Sequence, residues 1–210
     1  MADLEASLSL PAPEAARLLL GAVVRRGEVA VRLTEVEAYA GPADPGSHAY
    51  RLTPRSALMY GPPARLYCYF VYGMHVCANV VIGAAGDAGA VLLRAGEVVD
   101  GLEVARGRRR GTRDQELARG PARLCRALGI TLADNGNHLT DGQVTLTLPA
   151  EPVPTELVRT GPRVGLRLAA EIPWRFWIEG DPSVSAYRPA ADRSRRGSAD
   201  SGRSEAASRP

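Results

Sequence analysis

The chain has 210 residues, 45% of them apolar, with 26 basic and 23 acidic side chains and a formal charge of +3, a size that favours one well-cored domain over two very small ones. No apolar run approaches the roughly 18–20 residues of a membrane span, and the acid-bearing start "MADLEASLSLPAPEAARLLLG" lacks the early positive charge of an export signal, so a cytoplasmic protein without a membrane partner is expected. Cys68, Cys77 and Cys125 cannot all pair within one chain and form no C-x-x-C, which points to a reducing compartment, buried thiols and no metal cage.

In chain order, "PAPEAARLLLG" (11–21) reads as a short helix with proline at its start, an apolar stripe and glycine as stop. "AVVRRGEVAVRLTEVEAY" (22–39) reads as two strands about a turn at Arg26-Gly27. The Gly/Pro-rich loop "AGPADPGSHAYRLTPRS" is long for an idle connection. "RLYCYFVY" and "HVCANVVIG" are strand-like runs separated by a tight Tyr72-Gly73-Met74 bend, and "AGAVLLRAGEV" (88–98) is a further apolar strand. "ARGRRRGTRD" (105–114) reads as a basic loop, solvated or touching phosphate. "GPARLCRALGI" (120–130) is a short helix opened by Pro121 and stopped by Gly129. "QVTLTL" and "RFWIEG" alternate like strands. From Ala190 the composition turns to Ser, Arg, Ala and Gly, with five arginines against three acids, which predicts a disordered tail. All 26 basic residues are arginine. Short strands mixed with short helices predict one α+β domain.

Three stretches carry candidate chemistry. In "LTEVEAYAG" (33–41), period-2 alternation puts Glu35, Glu37 and Tyr39 on one side of a strand. A carboxylate beside a ring in a partly dry cleft suits a general base towards water, although Glu-x-Glu alone reads as a solvated pair on an exposed edge strand. His48, in "GSHAY", gains weight only from its neighbourhood, and three histidines in distant segments do not make a zinc site. "LYCYFVYGMHVCAN" (66–79) concentrates Tyr67, Tyr69, Phe70 and Tyr72 in a chain with only 5% aromatic residues. Tyr67 and Tyr69 share one strand face, and Tyr72 at the bend fits a wedge between stacked bases. Tyr39 and Tyr69 fit an aromatic slot for a flat heterocycle.

Taken together, "EVEAY", "GSHAY", "TPRSALMYGPP", "LYCYFVYGMHVCAN" and "AVLLRAGE" resemble, in order and spacing, the alkyladenine (3-methylpurine) DNA glycosylase family. "GPARLCRALGI" and "GPRVGL…PWRFWIEGDPSVS" resemble its later blocks, so the likeness covers nearly everything except the tail. It implies an α+β fold: a single mixed domain over 1–189, a curved antiparallel β-sheet with surrounding short helices and a protruding DNA-intercalating β-hairpin, followed by the 190–210 tail. It implies a monofunctional, metal-free hydrolase without cofactor, a monomer acting on double-stranded DNA at a damaged purine from the minor-groove side, associated with a bacterial-type nucleoid. Carried over residue by residue, Glu37 matches the carboxylate that deprotonates the attacking water, and Arg94 an arginine near the target phosphate and that water. Tyr39, His48 and Tyr69 match residues that stack on or hydrogen-bond the extruded base. Asn79 matches a residue that crowds guanine's exocyclic amine, and Tyr72 the intercalating ring. Glu35 is expected to be structural. A catalytically silent nucleic-acid-binding module on the same fold and a nucleoside hydrolase remain as alternatives, opposed by the intact "EVEAY" setting and by Tyr72 respectively.

Overall fold

A computed structural model describes residues 3–71 and 73–190. Its first helix, α1 (Leu4–Leu8), precedes any helix expected from the sequence and is capped by the Asp3 carboxylate, which accepts from the Glu5 N–H at 3.1 Å. The expected helix follows as α2 (Ala12–Leu19), burying Ala12, Ala15, Ala16 and Leu19 at the i, i+3, i+4, i+7 spacing that makes one apolar face.

That face packs on a sheet whose strands are β1 (Val23–Arg26), β2 (Val29–Tyr39), β3 (Leu66–Val71), β4 (His75–Ile82), β5 (Gly89–Asp100), β6 (Ala118–Arg119), β7 (Val144–Thr147), β8 (Val158–Gly161) and β9 (Arg175–Ile178). They form one curled antiparallel sheet in the order β3-β4-β5-β2-β1-β7, with β6 added to β5, β9 to β2 and β8 to β9. The long strands β2 and β5 are its spine. Register shifts between them at Ala30/Val31 and on either side of Glu35 bend the ladder, as bulges do.

Helix α3 (Leu102–Arg108) corrects the reading of 105–114 as a loop: its first half is helical. The helical pattern is masked by arginines whose heads are spent locally. Arg106 pairs with Glu103 and Asp114, and Arg109 donates to the Leu117 carbonyl at 2.7 Å. Helix α4 (Pro121–Leu128) has the expected proline start and ends at Gly129, whose φ of 76° only glycine adopts freely. It buries Leu124, Cys125, Ala127 and Leu128 against β4 and β5.

The main core lies between the helices and the sheet, with Leu19, Leu33, Leu93 and Leu128 among its residues. A second, smaller cluster of Ala49, Met59, Tyr67, Val81, Ala88 and Ala90 lies under the loop that connects β2 to β3. All three cysteines are free and buried. The β3–β4 hairpin is present, with Val71 paired to His75. Tyr72 at its bend, and all of the tail after Ala190, lie outside the described residues. Among the described residues no helix is long and apolar enough to cross a membrane.

Candidate active site

Strand β2 carries both glutamates, and neither is solvated: Glu35 and Glu37 are each 0% exposed. The edge-strand reading fails because β2 is interior, flanked by β5 on one side and β9 on the other, and both neighbours supply arginines. Glu35 Oε1 accepts from Arg94 Nε at 2.8 Å, Arg175 Nε at 2.6 Å and Ser185 Oγ at 3.0 Å, and its Oε2 from the Ser185 N–H at 2.6 Å. Burial raises the Glu35 pKa, but Arg94 and Arg175 outweigh it and hold the carboxyl below its ordinary value. Both oxygens of the Glu35 carboxylate are thus engaged by the protein itself.

Two residues on, Glu37 stands on the wall of a cavity of about 350 Å³. Its Oε1 accepts from the Val164 N–H at 2.7 Å and lies 3.3 Å from Arg94 Nη1. Its Oε2 accepts from the Tyr39 hydroxyl at 2.8 Å. A carboxylate offers about four acceptor positions, so these three contacts fix its plane and, among the described residues, take up three of them. Burial, followed by the nearby Glu37 charge, pushes the Tyr39 hydroxyl well above its ordinary pKa, so it remains a donor.

Six of the seven residues singled out in the sequence line this one cavity: Glu37, Tyr39, His48, Tyr69, Asn79 and Arg94. They arrive from β2, the β2–β3 loop, β3, β4 and β5. The rings interlock. His48 meets Tyr69 edge-on with centroids 4.5 Å apart, and Tyr67 stacks beside Tyr69 at 5.6 Å. The Tyr67 hydroxyl lies 3.3 Å from His48 Nδ1. Burial first, and the Arg55 charge second, lower the His48 pKa, so its ring is neutral near pH 7. Asn79 is held by donating Nδ2 to the Tyr67 carbonyl at 3.2 Å. Cys77 also lines the cavity, its thiol pushed up to about 11 by burial.

Sequence reasoning placed Tyr67 on the strand face of Tyr69 without giving it a role, and did not find Val164, the N–H partner of Glu37, nor Arg163 or Asp44. "GPRVGL" was legible as a block but not as a contact, because its partner Glu37 is 127 residues away. Among the described residues no group of three or more His, Cys, Asp or Glu stands together to hold a metal ion.

The family model described as Methylpurine-DNA glycosylase (MPG) matches residues 6–182. The chain is 56% identical over 184 residues to a protein of Nocardia farcinica, covering 84% of this chain and 87% of that one. It is 50% identical over 196 residues to one of Streptomyces avermitilis, covering 89% and 92%. With one of Mycobacterium bovis it shares 46% identity over 205 residues, covering 92% and 98%. All three bear the name "Putative 3-methyladenine DNA glycosylase".

Proposed function

The chain belongs to the methylpurine-DNA glycosylase family, and from that premise we propose that it is a monofunctional DNA glycosylase that turns a 3-methyladenine-type purine out of duplex DNA and hydrolyses its N-glycosidic bond, opening base excision repair. The observation that carries this reading is the Glu37 carboxylate: buried, held by the Val164 N–H, the Tyr39 hydroxyl and the Arg94 charge, and placed on the wall of a ring-lined cavity.

A base within the helix cannot present its glycosidic bond to that carboxylate, so the nucleotide must rotate out, at a cost of a few kcal/mol. Tyr72, at the bend of the hairpin, is assigned to fill the gap, since aromatic–base stacks contribute about 1–3 kcal/mol each. The extruded purine stacks against Tyr39 and Tyr69. With the Tyr67 hydroxyl donating to Nδ1, the proton of neutral His48 sits on Nε2 as a donor to the base. Asn79 crowds the space that guanine's exocyclic amine would need.

In the chemical step a water bound to Glu37 gives its oxygen to C1′ and its proton to the carboxylate. The C1′–N bond breaks with its electron pair going to the base, through an oxocarbenium-like state. An alkylated base that starts cationic leaves neutral and needs no protonation. Arg94, 3.3 Å from Glu37, keeps the carboxylate oriented and has its Nη1 near the reacting groups. None of the 210 residues is lysine, so no lysine amine is present to form the Schiff base of a strand-cleaving lyase.

The test is a base-release assay on methylated duplex DNA. Free 3-methyladenine should appear in the supernatant, and the strand should break only after alkali. Absence of any released base rejects the glycosylase reading; prompt nicking without alkali rejects the monofunctional one.

A further inference from the structure

Behind Tyr39, the loop that begins at residue 40 meets the loop 162–169 through a buried pair that no motif marked. Arg163 and Asp44 are both 0% exposed, and neither lines the cavity. The guanidinium forks onto the carboxylate, Nη2 donating to Oδ1 at 2.8 Å and Nη1 to Oδ2. Nη1 also donates to the Ala38 carbonyl at 3.0 Å, and Nη2 to that of Ala169 at 3.3 Å. The carboxylate is completed by the N–H groups of Gly46 at 2.9 Å and Ala40 at 3.3 Å. Gly46 lets the loop close on the pair, because a Cβ there would stand 2.8 Å from Leu166 Cδ1 and 2.9 Å from Arg163 Nη2, and one of them would have to shift.

The same guanidinium lies over aromatic faces. Its Cζ is 4.7 Å from the centre of the Tyr39 ring and 5.4 Å from that of Trp174. Tyr39 thus has a cation on one face while its ring also forms part of the cavity wall. The residue after Arg163 is Val164, whose N–H is fixed on Glu37.

We propose that the Asp44–Arg163 pair is a positioning and specificity device: it holds the Tyr39 ring from behind and cancels a charge that would otherwise repel a cationic base stacked on the ring's cavity side. This rests on the reading of the cavity as a purine site. The attraction between a ring and a cation comes from the negative face of the ring. A ring already polarised towards one cation is a poorer partner for a second, and the two charges, on the order of 8 Å apart in a medium of low dielectric, repel directly. With the carboxylate in bidentate contact the arginine acts at longer range as a neutral group. Its flat fork still orients Tyr39, the Asp44 loop leading to His48, and Val164. The alkylated purines 7-methylguanine and 3-methyladenine carry a positive charge as nucleosides; hypoxanthine and ethenoadenine do not. The pair therefore matters more to the first class than to the second.

The experiment compares single-turnover kcat/KM on duplexes carrying 7-methylguanine with that on duplexes carrying hypoxanthine or ethenoadenine, whichever neutral base the wild type releases. Asp44→Asn leaves Arg163 uncompensated and should lower the cationic-to-neutral ratio by about fivefold. Arg163→Met leaves the carboxylate uncompensated and should raise that ratio. Opposite shifts support the device. Equal losses on both substrates, or shifts in the same direction, overturn it and leave the pair as packing alone. If Asp44→Asn fails to fold, judged by thermal melting, the sign of the shift in Arg163→Met decides on its own. A wild type that releases no base of either class would instead remove the glycosylase reading on which the inference stands.

Discussion

Glu37 and Asn79 are small parts of the cavity wall, yet each is held so firmly that a conservative change becomes informative. Glu37→Gln keeps the shape and its one carbonyl oxygen can still accept from the Val164 N–H, with the NH2 group turned to the Tyr39 hydroxyl oxygen, but an amide does not take a proton from water. Release of 3-methyladenine is expected to fall by roughly a hundredfold or more, the usual scale for a lost general base, while gel-shift affinity for damaged duplex persists. Undiminished turnover would reject the assigned chemistry. Asn79 is buried with its amide anchored on the Tyr67 carbonyl, so it cannot swing aside for a bulkier base. Asn79→Ser shortens that wall and should raise release of undamaged guanine by roughly tenfold, the range that modest steric discrimination supplies. Guanine release equal to that of wild type would remove its role as a gate.

At the scale of elements, the β3–β4 hairpin brings together the cavity rings Tyr67 and Tyr69, Asn79, and the bend that contains Tyr72. The rings belong to β3 and Asn79 to β4, with Tyr67 directly opposite Asn79 in the register. Next to the bend, Phe70 and Met74 are 51% and 71% exposed, an apolar surface that costs free energy in water unless something covers it. If Tyr72 is the wedge, Tyr72→Ala should reduce turnover on duplex by roughly ten- to a hundredfold, the loss of one base stack, and change turnover on single-stranded DNA far less. Equal losses on both substrates would exclude the wedge. This hairpin, α2 and α4 were legible in the sequence because their signals are local: alternation on the strands, and a proline start on both helices. α3 was hidden because its arginines look like a loop until Glu103 and Asp114 are seen to hold them. The two-residue β6 and the four-residue β8 exist through their partners β5 and β9, and nothing within such short runs announces a strand.

The whole molecule is tied across its spine by charge, which is where local reading failed most. Glu35 joins β2 to Arg94 on β5, to Arg175 on β9 and to the Ser185 segment, with sequence separations of 59, 140 and 150 residues. No window of sequence shows that these groups meet, so a glutamate that looked solvated is instead the centre of a buried network. The linkage to pH follows from the direction of its shift. The folded-state pKa of Glu35 lies below its ordinary 4.5, so the folded protein binds this proton less readily than the unfolded chain. Its contribution to stability is therefore complete at pH values well above 4.5 and is lost as pH falls through the lower, folded value. Asp181, also lowered and paired with Arg32 at 2.8 Å, acts in the same sense. Glu35→Gln takes the anion from buried Arg175 and leaves Arg94 with Glu37 alone, and should cost about 3 kcal/mol at pH 7, read from urea unfolding. As pH drops below 4.5 the wild type loses what the variant never had, so the gap between the two unfolding midpoints should narrow. A gap as wide at pH 3 as at pH 7 would mean that the glutamate stabilises the spine by shape and hydrogen bonding rather than by charge.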